Sequence, residues 1–134
     1  MSAEVTVRAA VIAALRNDGA LLGAINGLFD GTPARASVPY AVVGECIASE
    51  WGAKDVDGRE LRLTISLYDA GGTPGRLAGP LGQIDRAVQA ADASAEGWRI
   101  VGARLVRSRV MKIGPRDGDS WQAVLDYRLR VVAL

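Results

Sequence analysis

The chain has 134 residues, no histidine and one cysteine, and its 16 Lys and Arg nearly balance its 15 Asp and Glu, for a formal net charge of +1. Without histidine it lacks the usual general base near neutral pH and the commonest metal ligand, and without net charge it has no global field to attract nucleic acid or an anionic membrane. We therefore expect no catalytic residue, no cofactor and no metal site.

The first predicted element is an amphipathic helix over residues 3–16. Val7, Val11 and Leu15 recur at helical spacing, with charged residues on other faces. The stretch Asn-Asp-Gly at residues 17–19 supplies a stop signal, which places the end of the helix just before it.

Residues 21–25 predict one further helical turn, and Phe-Asp-Gly-Thr-Pro at residues 29–33 predicts a turn that opens an irregular loop long enough to be a contact surface. Residues 38–48 are rich in Val, Ile and Tyr and apolar on both faces, which predicts a buried strand. Cys46 lies in this strand. Because the chain has no second cysteine, we expect a small buried hydrophobe in a protein that matures in a reducing cytoplasm.

The second predicted strand has a period of two, with apolar and polar residues alternating. Its apolar members are Leu61, Leu63, Ile65 and Leu67. This alternation predicts a strand that is half solvated or faces an interface, and Asp57 and Gly58 predict the turn before it.

A second main helix is predicted after Thr73 and Pro74, because proline at the first helical position gives up a donor that would be unpaired. Its apolar stripe consists of Leu77, Leu81, Ile84 and Val88. Pro80 leaves two possibilities: the helix kinks there, or it starts near Gly79 with the proline in its first turn.

Residues 98–113 and 121–132 are long β-type segments, and Asp117 with Gly118 between them is a strong hairpin signal. Centring the turn there opposes Arg109 with Asp126, Arg107 with Arg128, Val110 with Leu125, Ser108 with Tyr127 and Val106 with Leu129. The inward side chains are then Val106, Val110, Leu125, Tyr127 and Leu129, and the outward ones are Arg107, Arg109, Asp126, Arg128 and Arg130. A shift of one residue would mix the two sets, which supports this register.

The outward arginines, with Arg99, Arg104 and Lys112 nearby, form the one local charge concentration in the sequence. Three interpretations stay open: a solvated sheet face with Asp126 as partial counter-ion, contact with an acidic protein, or contact with nucleic acid. The last lacks aromatic residues interleaved for base stacking. Arg107 opposite Arg128 is a like-charge pair that neighbouring carboxylates or a partner would neutralise.

The predicted order of helix, strand, strand, helix, strand, strand indicates a single α+β domain over residues 1–134. Its mainly antiparallel four-stranded sheet would carry two principal helices packed on one face. Hydrophobic residues make up 49% of the chain, and surplus apolar surface on a small domain is usually covered by a partner. Self-association is the first expectation, with an Ala-rich monomer as the alternative. Neither an export signal nor an apolar run of the ~20 residues that span a membrane is visible.

Three stretches are weak candidates for chemistry. Residues 55–58 faintly resemble a calcium loop but lack its later ligands, and a hairpin turn explains them better. Residues 71–75 open a helix without the lysine or the glycine spacing of a phosphate loop, which favours a flexible connection. Glu45 and Glu50 would form an acid/base pair only with suitable geometry and shifted pKa values.

Several segments together resemble a family of small tail-completion proteins of long-tailed phages and gene transfer agents. They are Leu-Arg-Asn-Asp at 15–18, Phe-Asp-Gly-Thr-Pro at 29–33, Val-Pro-Tyr-Ala-Val-Val-Gly-Glu at 38–45, Tyr-Asp at 68–69 and Trp-Gln-Ala-Val-Leu-Asp-Tyr-Arg at 121–128. The likeness covers nearly the whole chain.

The resemblance implies a tail terminator, or tail-to-head joining protein, of the virion that assembles in the host cytoplasm. Such a protein forms a ring, typically a hexamer, on the head-proximal end of the tail tube and stops tube polymerisation. Its expected partners are copies of itself, the tail tube protein and a neck or connector protein, while DNA passes through the lumen without sequence-specific binding. A different neck or minor tail component, or a small basic-faced nucleic-acid adaptor, is the alternative.

A ring needs head-to-tail interfaces, which combine apolar patches with polar rims. The candidate interface residues are Phe29, Leu61, Leu63, Arg107, Arg109, Arg128 and Arg130. Because tight bonding of arginine to phosphate would hinder DNA transit, we expect the arginine face to meet protein.

Overall fold

Three helices and five strands are present in the computed structural model, which describes residues 2–114 and 120–134. The helices are α1 (Ala3–Arg16), α2 (Gly19–Ala24) and α3 (Ala78–Gln89). The strands are β1 (Leu28–Asp30), β2 (Tyr40–Glu50), β3 (Gly58–Ala70), β4 (Trp98–Ile113) and β5 (Ser120–Ala133). Short 3-10 turns, Gly75–Leu77 and Ser94–Glu96, lead into α3 and β4.

The strands form one mixed sheet in the order β1-β2-β3-β5-β4. β1 runs parallel to β2, and the other neighbours are antiparallel. The α+β class is confirmed, but the predicted four-stranded sheet with two principal helices omits β1 and α2. Phe29 and Asp30, predicted as a turn, lie in β1, because three residues are too few for a strand period to be visible. Gly31, with a φ of 81°, follows the strand.

Capping side chains explain where the first two helices begin. The Ser2 hydroxyl accepts a hydrogen bond from the Val5 N–H at 3.3 Å, and an Asp18 carboxylate oxygen accepts one from the Leu21 N–H at 3.0 Å. The predicted helix over 3–16 is confirmed. The predicted turn after it is a complete short helix whose Leu21 is fully buried.

The apolar side of β3 lies in the core of the subunit. Leu61, Leu63, Ile65 and Leu67 are each no more than 1% exposed. They pack in one cluster with apolar residues of α1 and α3 such as Val11 and Ile84. The expectation that Leu61 and Leu63 face an interface is therefore wrong for this fold, because the helix layer covers them and only the polar residues of β3 face outward.

Close backbone approach, rather than a turn, accounts for Gly58. The reversal between β2 and β3 is closed by hydrogen bonds in both directions between Ala53 and Val56, ahead of the predicted turn at Asp57 and Gly58. A Cβ on Gly58 would lie 2.4 Å from the Trp51 carbonyl oxygen. Only glycine fits there.

The second of the two possibilities for Pro80 is confirmed. Helix α3 begins at Ala78, so Pro80 lies in the first turn, where its missing N–H leaves no intrahelical hydrogen bond unmade.

β4 has its predicted bounds and β5 extends one residue beyond each predicted end, but the register between the two strands differs. Arg107 pairs with Asp126 and Arg109 with Val124, two residues away from the predicted partners. Because side chains alternate with a period of two, this even shift leaves the predicted outward arginines on the outward face. Val106 and Val110, both predicted to point inward, are 48% and 44% exposed. The predicted turn at Asp117 and Gly118 lies outside the described residues.

Cys46 is half-buried at the margin of the core, less buried than predicted. Burial raises the pKa of its thiol to about 11. The thiolate is therefore scarce at pH 8, and its higher intrinsic nucleophilicity offsets only part of the loss. We expect iodoacetamide to alkylate the folded chain about tenfold more slowly than free cysteine, and urea to remove the difference. Mass spectrometry of a time course measures both rates, and alkylation at the free rate in the folded chain would contradict this burial.

Candidate interaction face

The helices cover one face of the sheet, and no described element covers the other, which we call the open face. Its side chains come from the alternate positions that point away from the core cluster. The arginines on the open face are Arg62, Arg99, Arg104, Arg107, Arg109, Arg128 and Arg130. The open face is thus a local basic surface on a nearly neutral chain.

Two β-bulges place all the arginines of β4 on the open face. The pairing with β5 shifts between Ile100 and Gly102 and again between Leu105 and Arg107, so Val101 and Val106 are the inserted residues. Each insertion reverses which residues point outward. In a regular strand, residues with odd and even numbers point to opposite faces. Because of the two insertions, the four arginines of β4 share one face although Arg104 has an even number and Arg99, Arg107 and Arg109 have odd ones.

Three successive rows of cross-strand neighbours run across β3, β5 and β4. They are Glu60, Arg130 and Gly102; Arg62, Arg128 and Arg104; and Thr64, Asp126 and Arg107. Neighbouring strands lie about 4.8 Å apart, so three side chains in a row meet a partner together. We call the middle row, Arg62, Arg128 and Arg104, the arginine row.

The two flanking rows each contain an ion pair. Arg130 Nε lies 3.1 Å from Glu60 Oε2, and Arg107 Nη2 lies 3.1 Å from Asp126 Oδ2. Thr64 donates a further hydrogen bond to Asp126 at 2.9 Å. The hydrogen bond from Arg130, together with the nearby arginine charges, lowers the pKa of Glu60 below its ordinary value. Glu60 therefore stays ionised at neutral pH.

The arginine row is less well compensated. Arg62 Nη2 makes a longer hydrogen bond to Glu60 Oε1, at 3.4 Å, and the charge of Arg128 also acts on Glu60. Arg104 and Arg128 form no hydrogen bond or ion pair with any other residue that the structure describes. Like charges directly opposite one another destabilise a sheet. The row therefore carries positive charge that the subunit neutralises only in part, because Arg62 and Arg128 share Glu60 with Arg130.

An aromatic cluster occupies the other end of the open face. The Tyr40 ring stacks on Tyr68 with centroids 4.9 Å apart and meets Phe29 edge-on at 5.9 Å. Gln122 Nε2 donates a hydrogen bond to the Tyr68 hydroxyl at 3.0 Å. Burial, and secondly the neighbouring Tyr68, raises the pKa of Tyr40. These rings contact each other, so one face of Tyr40 and one of Tyr68 are already occupied within the subunit.

The predicted interface residues divide among three places. Four of them lie together on the open face: Arg107, Arg109, Arg128 and Arg130. Phe29 lies in the aromatic cluster, and Leu61 and Leu63 lie in the core. Sequence reasoning missed Arg62. Its alternation with the leucines of β3 indicated an outward side chain, but its place beside Arg128 depends on the pairing of β3 with β5.

The structure does not unite the candidates for chemistry. Glu45 and Glu50 are separated along β2 by about 16 Å of extended strand, and Glu50 instead lies 3.3 Å from Arg59. Within residues 2–114 and 120–134, no group of three acidic or cysteine side chains is arranged to hold a metal ion. None of the helices described there has the length and apolarity that a membrane crossing requires.

Comparison with known proteins identifies the fold and the family. One chain of a solved structure titled "Virion of native gene transfer agent (GTA) particle" superposes with a TM-score of 0.71, at 22% identity, over 95% of each chain. The gp17 protein of bacteriophage SPP1 superposes with a TM-score of 0.65, at 13% identity, over 95% of this chain and 89% of that one. A search of curated protein sequences finds no significant match.

The family assignment rests on the sequence match. The chain matches the family described as tail completion protein gp17 over residues 9–132, which is nearly its full length. The two structural likenesses agree with this assignment at the level of the fold. The chain belongs to the tail completion protein gp17 family, and it is a structural tail component of the virion rather than an enzyme.

Proposed function

We propose that this protein is a tail terminator: a ring, hexameric by the family resemblance, that caps the head-proximal end of the tail tube. The ring ends tube polymerisation and joins the tail to a neck or connector protein. DNA passes through its lumen without sequence-specific binding. The observation that carries the proposal is the family match over residues 9–132, and the superposition on a chain of a gene transfer agent virion supports it.

The two lateral edges of the sheet suit a head-to-tail ring. Such an interface joins two different surfaces of the same chain, and a closed ring results when the rotation between copies closes. In the described sheet, β4 forms one edge and β1 the other. These edges have different sequences and lie at opposite ends of the sheet, so each copy can present one edge to each neighbour.

The β4 edge has the apolar character that an interface core needs. Val101, Val106 and Val110 are each between 44% and 48% exposed. Arginines alternate with them, which gives the apolar centre and polar surroundings typical of interfaces. At the β1 edge, Val38 is also exposed, and the loop that follows Phe29 supplies the facing surface.

Native mass spectrometry of the purified chain, alone and mixed with tail tubes, tests the ring. We expect a hexamer, or a monomer that becomes hexameric on the tubes. Val110→Glu places an unpaired charge in the β4 edge and is expected to weaken association at least about tenfold while leaving the fold intact. The control is Val56→Glu, because Val56 is similarly exposed (46%) but lies in the β2–β3 connection.

Two outcomes would contradict these assignments separately. A fixed dimer under all conditions would exclude the ring. An intact hexamer in Val110→Glu, with Val56→Glu also intact, would leave the ring in place but exclude the β4 edge as its interface.

A further inference from the structure

We propose that the arginine row docks an acidic surface of a different tail or neck protein, which presents carboxylates to Arg104 and Arg128. The existence of such a partner rests on the proposed function. The chemistry of the docking surface rests on the charges and contacts of the open face.

The three rows of the open face differ in how far their arginines are neutralised. Glu60 and Asp126 neutralise the rows on either side, at 3.1 Å from Arg130 and Arg107 respectively. Arg104 and Arg128 form no hydrogen bond or ion pair with a described carboxylate, and the row has only a share of Glu60, through Arg62 and the charge of Arg128. Three arginines in one row with one shared counter-ion are an unfavourable arrangement in the isolated subunit. Carboxylates from a partner would remove the repulsion and add charge-assisted hydrogen bonds.

The open face is poorly suited to nucleic acid. A continuous phosphate backbone laid across the open face would approach Glu60 and Asp126 as well as the arginines, and those carboxylates would repel it. The rings of Tyr40 and Tyr68 at the other end of the open face stack on each other, so each has at most one face left for a base, and the Trp51 ring already packs against Arg130 at 5.1 Å. Carboxylates on a protein surface are separate groups, so they can contact the arginine row without approaching Glu60 or Asp126. Enrichment in arginine and tyrosine is also typical of protein interfaces.

A second copy of this chain offers few carboxylates to the row. Most carboxylates of the described residues already have a partner within the subunit. They are Glu4 with the Ser2 hydroxyl, Asp18 with Arg86, Asp30 with Arg8, Glu50 and Asp57 with Arg59, Asp69 with Arg76, Asp85 with the Tyr127 hydroxyl, and Asp92 with the Ser94 N–H. Glu45, Asp55 and Glu96 lie on three separate segments, and Glu96 lines one hollow with Asp92. The described residues of a neighbouring copy thus offer two neighbouring carboxylates to three arginines, which favours a different protein.

The arrangement predicts opposite effects of one substitution on stability and on binding. Arg104→Glu places a carboxylate directly opposite Arg128, so the thermal midpoint of the isolated chain is expected to rise. Binding of a fluorescein-labelled hexaglutamate peptide, followed by anisotropy at low salt, is expected to weaken about tenfold or more. Arg104→Lys keeps the charge and should retain most of the binding. Arg16→Glu, an exposed arginine at the end of α1, is the matched control and should bind like the unaltered chain.

Assembled tails identify the partner. In tails that contain Arg104→Lys, a carbodiimide joins the new amine to an adjacent carboxylate with loss of water, the carbodiimide being converted to its urea. Tryptic mass spectrometry should find this amide link to an Asp or Glu of a different tail or neck protein. A link to a second copy of this chain, or no link in tails that contain the variant, would overturn the proposal.

The peptide, stability and DNA measurements also test the proposal. An unchanged peptide affinity in Arg104→Glu, or a lower thermal midpoint, would overturn the proposal. The proposal would also be overturned if the chain binds a short DNA duplex more tightly than the peptide and Arg104→Glu abolishes the binding of DNA. The open face would then be a nucleic-acid surface. A chain that stays monomeric with and without tail tubes contradicts the ring but leaves the peptide result as it is, so the two failures are distinguishable.

Discussion

Leu125→Ala is expected to lower the free energy of unfolding by about 2–5 kcal/mol, the cost of truncating a buried leucine and leaving a cavity. Leu125 is 2% exposed and pairs with Ile65 of β3 on the helix-covered face of the sheet. Urea denaturation measures the loss as a lower midpoint at an unchanged slope. Variant and unaltered chain are compared at equal protein concentration, because assembly adds to apparent stability.

The control for this truncation is Leu22→Ala. Leu22 of α2 is 41% exposed, so the same chemical change removes less buried surface and is expected to cost well under half as much. An equal loss in both variants would show that the effect is not due to burial. An unchanged midpoint in Leu125→Ala would contradict the assignment of the inward face of β5.

Arg76→Ala is expected to destabilise the subunit by about 1–3 kcal/mol, because it leaves a buried carboxylate without its partner. Asp69 at the end of β3 has a fully buried side chain, and Arg76 Nε donates a hydrogen bond to it at 3.0 Å. A second contact joins Arg76 Nη2 to the other carboxylate oxygen. Since Arg76 lies in the 3-10 turn before α3, this pair ties the start of the helix to the sheet.

The double variant Asp69→Asn with Arg76→Ala separates buried charge from lost packing. Removing the carboxylate is expected to recover part of the stability that Arg76→Ala loses, since the charge was the costly group. Arg16→Ala, at an exposed arginine without an ion pair to a described residue, should change the midpoint little. If the double variant is less stable than Arg76→Ala, the charge of Asp69 is not the cause of the stability that Arg76→Ala loses.

Periodicity predicted most of the regular structure. The helix over 3–16, the bounds of β4 and the division of β5 into inward and outward residues follow from apolar spacing that packing then satisfies. The failures have identifiable causes. β1 has three residues, too few to show a period. The hairpin pairs two residues away from its predicted register already at Ile113 and Ser120, and the bulges farther along β4 leave no mark in an alternating pattern.

The sequence by itself determined which residues alternate, and therefore that β3 and β5 each have an apolar side and a polar side. The tertiary structure decided what each side meets. The helices pack over Leu61 and Leu63 and convert a candidate interface into core. The arginine row depends on the strand order β3-β5-β4 and on the inserted Val106, which brings Arg104 opposite Arg128. Residues distant in the chain become neighbours only through strand pairing. One inserted residue reverses the face of every residue that lies beyond it in the strand.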